Sequence, residues 1–385
     1  MTTTAPLRRF VECLDGRRVP LNASERSEIP GDYPYWGANG VVDTVGRFLF
    51  NEDLVLLGED GAPFDEPTRE VAFSVAGPVW INNHIHVLRP KPGTNHRFLT
   101  YALNAIDWML FVTGSTRLKL TQDDMMRARV PDLPITQQRA IADYLDTETA
   151  RIDALITKKR RMIELLNERK ALVAEDILRG LRDGEDLVPI KYLVEESDRR
   201  HGEGPEPLML SVSIHDGVVP RHEISDKESR ADDHTNYKTC TPGDIAINRM
   251  RAFQGGVGVV RDPGVVSPDY TVLRPGPRVT AEFLHFVMRS DWFVGEMTRR
   301  LRGIGATDQG AVRTPRINFA DLGLIEIPVP PRQLQSRLAD QLEVAVARAN
   351  RVLKALHQQL ELLAEHRQAL ISSAVTGELE IPVAA

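Results

Sequence analysis

The residue types best placed to do chemistry lie in one glycine-rich stretch: Asn248, Arg249, Met250, Arg251, Ala252, Phe253, Gln254, Gly255 and Gly256. Arginine can grip guanine through O6 and N7, and asparagine or glutamine can grip adenine through N6 and N7. Two arginines flanked by two amides therefore suit the reading of base edges, although a solvated turn has the same composition. His215, in the polar segment SIHDG at 213–217, is a second candidate for base contact. Arg313 and Arg316 suit phosphate oxygens, which position a protein on DNA without carrying sequence information. Earlier in the chain, Tyr33, Tyr35 and Asn39 could meet DNA, or the tyrosines could pack. Thr116, Arg117 and Lys119, within TGSTRLK at 113–119, offer a hydroxyl and two cations to a nucleic-acid backbone. Glu59 and Asp60 could accept from cytosine amino groups or shape a turn.

Signatures of catalysis are absent. There is no GxxxxGK[ST] phosphate loop, no Asn-Pro-Pro-Tyr-type methyltransferase motif and no paired-carboxylate-plus-lysine nuclease pattern. His84 and His86 alternate on a strand-like run without a cysteine or acidic cluster beside them in sequence. They read as one exposed and one packed histidine rather than a metal site, so no metal and no cofactor is expected.

Something must position these groups, and the chain supplies it by being written twice. PDLPITQQRAIADYLD at 131–146 answers PVPPRQLQSRLADQLE at 328–343, offset by 197. VLRP followed by FLTYAL, at 87–90 and 98–103, answers VLRP followed by FLHFVM, at 272–275 and 283–288, offset by 185. The second copy must then hold about 12 extra residues before its helix, the difference between the two offsets. Apolar residues recur at three–four spacing along both helical runs: Ile141, Leu145, Ile152, Ile156, Ile163, Leu166, Val173 and Ile177, then Leu338, Leu342, Ala345, Ala349, Val352, Leu356, Leu360, Leu363, Leu370 and Ala374. Pro134 and Pro331 stand at the entrances, and Gly180 and Gly377 where the helices should end.

This predicts a mixed α/β (α+β) chain with a pseudo-twofold internal repeat. Two globular domains, 1–134 and 184–331, are separated by two long helices, 135–183 and 332–376, forming an antiparallel coiled coil; 377–385 is a tail. Strands are expected at 54–57, 79–81, 84–88, 244–247, 257–260 and 270–273, and helices at 96–111 and 281–300.

The 385 residues carry a net charge of −6, which argues against a uniformly basic nucleic-acid binder. The first domain is −3, with 14 basic against 17 acidic residues, and the second −4, with 18 against 22. DNA contact would need local cation clusters or a partner's charge. The basic run Lys158, Lys159, Arg160 and Arg161 reads more plainly as a solvated helix face. MTTTAPLRRF lacks a secretory h-region, no apolar stretch reaches membrane-spanning length, and the two cysteines suit a reducing cytosol.

The doubled order of these motifs resembles the specificity subunits of type I restriction–modification systems. The likeness rests on VPDLPITQQRAIADYLDTETARIDALI at 130–156, IPVPPRQLQSRLADQL at 327–342, the helix endings ALVAEDILRG and ALISSAVTGEL, GDYPYWGANGVVD at 31–43, GEDG at 58–61 and PGDIAINRMRAFQGGVGVV at 242–260. The resemblance implies a non-catalytic protein whose two target-recognition domains each read half of a bipartite, asymmetric site in double-stranded DNA. It also implies partners: methyltransferase subunits, two of them, docked on the repeated helical regions, and nuclease–translocase subunits. Gln138, Asp143, Gln335 and Asp340 are the residues that would face such partners. The other reading is a coiled-coil adaptor that assembles proteins without reading DNA, which the acidic charge favours.

Overall fold

The computed structural model describes residues 3–114, 117–214, 217–223, 234–300 and 316–382. Contacts divide the chain into two units, Met1–Arg161 with Ala355–Ala385, and Met162–Lys354.

The head of the first unit contains β1 (Thr4–Pro6), β2 (Val11–Cys13), α1 (Ala23–Ser27), β3 (Tyr33–Gly37), β4 (Gly40–Val45), β5 (Phe50–Asn51), β6 (Leu54–Gly58), β7 (Ala72–Val75), β8 (Pro78–Ile81), β9 (Ile85–Pro90), α2 (His96–Asn104), α3 (Gln122–Arg127) and β10 (Arg129–Pro131), followed by the long helix α4 (Ile135–Gly184). An antiparallel sheet runs β2-β9-β6-β7, a second sheet runs β4-β3-β8-β5, and β1 pairs with β10. All five residues of β6 are buried. Successive strand side chains point to opposite faces, so Val55 and Leu57 enter the core shared with α2. Leu54 and Leu56 enter a separate core with Phe50, Val79 and Ile81 of the second sheet.

The second unit repeats that plan with β11 (Leu187–Pro189), β12 (Val194–Ser197), β13 (Leu210–Ser213), β14 (Gly217–Pro220), β15 (Lys238–Cys240), β16 (Ile245–Asn248), β17 (Val257–Val259), β18 (Gly264–Val266), β19 (Tyr270–Pro275), α5 (Ala281–Arg289), α6 (Asp291–Arg299), α7 (Phe319–Leu322), β20 (Glu326–Pro328) and α8 (Arg332–Thr376). Its sheet β12-β19-β16-β17 and its pair β11-β20 match their counterparts strand for strand. Where the first unit has its second sheet, this one has, among the described residues, two separate antiparallel pairs, β13-β14 and β15-β18.

Three elements differ from the sequence expectation. The helix expected over 281–300 is two helices, because Ser290 is extended (φ −68°, ψ 150°) and its hydroxyl caps α6 by accepting from the Phe293 amide. The helix expected over 96–111 ends at Asn104 and is followed by a separate single turn, Trp108–Leu110. Helix α4 passes through Gly180 and ends at Gly184, since propensity alone does not stop a helix whose neighbours Leu178 and Leu181 are held in a core. Gly377, at φ 80°, does follow the end of α8 in the left-handed conformation.

The long helices run antiparallel in each unit. In the first, Ile141, Ala142 and Leu145 share a core with Ile371, Ala374 and Val375. There Arg367 pairs with Asp153 at 3.1 Å and Lys159 Nζ donates to Gln359 at 2.6 Å. In the second, Lys170 Nζ donates to Asn350 at 3.3 Å, and Leu178 and Leu338 join one core. Burial along the seam is uneven: Leu356 is 6% exposed, whereas Val173 and Val352 are each 40% exposed.

Candidate nucleic-acid interface

Both heads are closed at the same place, the end of the central strand, by a returning segment. In the first unit the Leu120 amide donates to the Glu59 carbonyl at 2.8 Å, and Leu120 is fully buried. In the second, the Ile317 amide donates to the Arg249 carbonyl at 3.3 Å, and Ile317 is 2% exposed. The strand registers, Val55 opposite Leu88 and Ile245 opposite Leu273, make Glu59 and Arg249 equivalent positions. The residues just before the buried anchors, Lys119 and Arg316, are equivalent too, and both are exposed.

In the second unit this junction gathers most of the residues singled out for DNA. Asn248 is buried, donates to the Tyr270 hydroxyl at 3.2 Å and accepts from the Met250 amide, so it shapes the loop. Arg249 Nε donates to the Ile317 carbonyl at 3.0 Å, tying the loop to the returning segment. Ala252 is buried and anchors a single turn, Ala252–Gln254, that closes on Gly255 at φ 84°. At Gly256 an added Cβ would stand 2.8 Å from the Arg251 carbonyl, so the tight return requires glycine there. Arg251 and Gln254 project from this rigid turn into solvent. Arg316 lies beside them, 3.5 Å from Asp269 and 3.9 Å from the Met250 sulfur. His215 and Arg313 lie outside the described residues.

In the first unit the equivalent junction joins Asn39, Arg117 and Lys119. Asn39 donates to the Gly61 carbonyl at 3.3 Å, Arg117 pairs with Asp60 at 2.5 Å, and Lys119 stands 3.5 Å from Glu59. Thr116 lies outside the described residues. The tyrosines are placed elsewhere. Tyr35 is 2% exposed and its hydroxyl both accepts from the Leu21 amide and donates to the Leu21 carbonyl. Tyr33 stacks edge-on against Phe48. The burial of Tyr35 leaves it a packing role.

Beneath Glu59 lies a polar network that single-sequence reasoning missed. Arg18 bridges Glu59 (2.5 Å), the Ile85 carbonyl (2.9 Å) and Asp15 (3.5 Å). Asp15 accepts from the Val87 amide at 2.8 Å and lies 2.6 Å from His86 Nδ1. Burial by itself would raise the Asp15 carboxyl, but His86, the Val87 amide and Arg18 together hold it below the ordinary aspartate value. Asp15, Glu59 and His86 lie close enough together to bracket a metal ion. Arg18 already supplies the cation between the carboxylates, and His86 Nε2 faces the Leu120 carbonyl at 3.1 Å, so the cluster reads as an internal ion-pair network that stiffens the junction. His84 is the solvent-facing histidine of the pair, 3.5 Å from Asp60.

The helix-start residues expected to face partners divide by burial. Gln138 Nε2 donates to the Gly93 and Leu133 carbonyls, and its Oε1 accepts from the Asn95 amide. Gln335 repeats this on the Arg278 and Pro330 carbonyls and the Thr280 amide. They are 2% and 0% exposed, so neither offers a surface to a partner and the docking expectation moves off them. Each staples its long helix to the turn before α2 or α5. Asp143 and Asp340 are exposed.

Residues 10–165 match the family described as the type I restriction modification DNA specificity domain. A type I restriction enzyme specificity subunit of Haemophilus influenzae is 25% identical over 92% of this chain and 90% of its own length. The EcoBI specificity subunit of Escherichia coli is 21% identical over 87% of this chain and 75% of its own length. A solved structure described as the structural basis of complex assembly and conformational transition of the type I R-M system shares the fold, with a TM-score of 0.69 and 15% identity over 98% of both chains. Over residues 10–165 the chain thus matches the type I DNA specificity domain, and over most of its length it is similar to specificity subunits of type I restriction–modification systems.

Proposed function

We propose that each head reads one half of a bipartite, asymmetric site in double-stranded DNA, and that the repeated helical regions dock methyltransferase subunits, one per repeat, with nuclease–translocase subunits joining the assembly in the cytoplasm. The observation that carries this reading is the pair of equivalent junctions. Both are built on the same strand end and returning segment, yet one presents Glu59 with Lys119 and the other Arg249 with Arg316. Glu59 and Arg249 are part-buried beneath the exposed Lys119 and Arg316, and like frames that carry unlike residues suit two readers of unlike half-sites. A row of exposed apolar residues on α4, Leu155, Met162, Leu165 and Leu172, supports protein docking along the helix.

A mobility-shift assay on random duplexes, with and without the cognate methyltransferase, tests the reading. Sequence-selective binding that the methyltransferase strengthens is expected, and Arg251→Ala should cost about 1–3 kcal/mol at one half-site alone. Equal weakening on every duplex would make Arg251 a phosphate contact. Methyltransferase capture with no sequence preference would favour the assembly adaptor, which the net charge of −6 suits.

A further inference from the structure

The two units treat one position in opposite ways. In the first, Arg97 on α2 is clamped between Asp143 (2.7 Å) and Asp146 at the start of α4. Tyr101 closes the cluster, donating to Asp146 at 2.8 Å and lying 3.2 Å from the Thr149 hydroxyl. The glutamine staples fix the correspondence between units, because Asn95 matches Thr280 and Leu133 matches Pro330. On that register Arg97 becomes Glu282, Tyr101 becomes Phe286, Asp143 becomes Asp340, Asp146 becomes Glu343 and Thr149 becomes Val346. The guanidinium and both hydroxyls are gone, while the carboxylates remain and gain a third.

A cleft of about 560 Å3 opens there in the second unit, with Glu282, His285, Phe286, Leu342, Glu343 and Val346 among its lining residues. His285 Nδ1 is buried without a hydrogen-bond partner. Burial, then Arg289 and Arg261, push the His285 pKa down to about 4, so at neutral pH the ring is uncharged and can accept from a donor. Glu343 meets Arg261 at 3.1 Å, but as a largely exposed pair, which contributes little.

We propose that this cleft receives an arginine side chain of a docked methyltransferase subunit, standing where Arg97 stands in the other unit. A planar guanidinium can fork onto Glu282 and Glu343, donate to His285 and lie on the Phe286 ring. Lys170, Arg261 and Arg289 also line the cleft, but they are turned to Asn350, Glu343 and the Ile214 carbonyl, and Glu282 has no cation partner among the described residues, so the group that completes the cleft is a cationic side chain of a docked protein. The two repeats then differ as docking sites, one neutralised from within and one completed by its partner. This rests on the docking reading given above.

Titration calorimetry of the full chain with the methyltransferase, alongside melting temperatures, tests it. Glu282→Arg should close the cleft from inside as Arg97 does, weakening one binding event about tenfold or more without lowering the melting temperature. Glu282→Gln, at an exposed position that cannot threaten the fold, should weaken the same event less. Unchanged binding in both variants overturns the proposal while leaving methyltransferase docking intact. Failure of the unaltered chain to bind the methyltransferase overturns the docking reading, and this proposal with it.

Discussion

At the scale of single residues, the buried polar groups decide more than the exposed ones. Gln335 satisfies two carbonyls and one amide from a fully buried position. Gln335→Ala orphans those groups at about 1–3 kcal/mol for a buried loss, and urea denaturation should show that destabilisation, with Gln138→Ala behaving alike. Asp15 makes a pH prediction. Its native pKa lies below the ordinary value of 3.8, so its contribution to stability is fully present above that value and is lost as pH falls through the native pKa. The stability gap between the natural chain and Asp15→Asn should stay constant near neutrality and shrink only below about pH 4. A gap that shrinks at higher pH would show that another group controls it. None of this was legible beforehand, because a glutamine near a helix start looks like surface, and Asp15, Arg18, Glu59 and His86 are far apart in sequence.

At the scale of elements, spacing carried most of the information. The three–four alternation located both long helices, and runs of β-branched and leucine residues located the central strands. Element ends were less legible. Gly180 reads as a stop, yet α4 continues four residues beyond it. An added Cβ at Gly180 meets nothing within 4 Å, so Gly180→Ala should stabilise the chain by about 1 kcal/mol through helix propensity, measured by thermal melting. Ser290 reads as helix interior, yet its hydroxyl caps α6 and donates to the Val287 carbonyl, a tertiary choice between two local options. Leu356 sits on the predicted seam and is 6% exposed. Leu356→Glu places a carboxylate there at a cost on the order of 3 kcal/mol, and circular dichroism should report a matching fall in melting temperature. An unaltered melt would mean the seam does not bury that position.

At the scale of the whole molecule, the sequence by itself determined the doubled plan: head, helix, head, helix, with the family resemblance carried by the order of the motifs. Repeated offsets survive because apolar period, turn residues and helix entrances are local properties, written in neighbouring positions. Only the tertiary structure decided what the junctions are made of. Bringing Glu59 to Lys119, Arg249 to Ile317, and Arg97 to Asp143 joins residues from distant parts of the chain, and no local pattern encodes which distant group completes a charge or fills a space. The same holds for exposure, which separated the buried Asn248, Tyr35, Gln138 and Gln335 from the projecting Arg251 and Gln254. Residue type states what a side chain can bond to; packing decides whether that capacity is spent inside the protein or left for a partner.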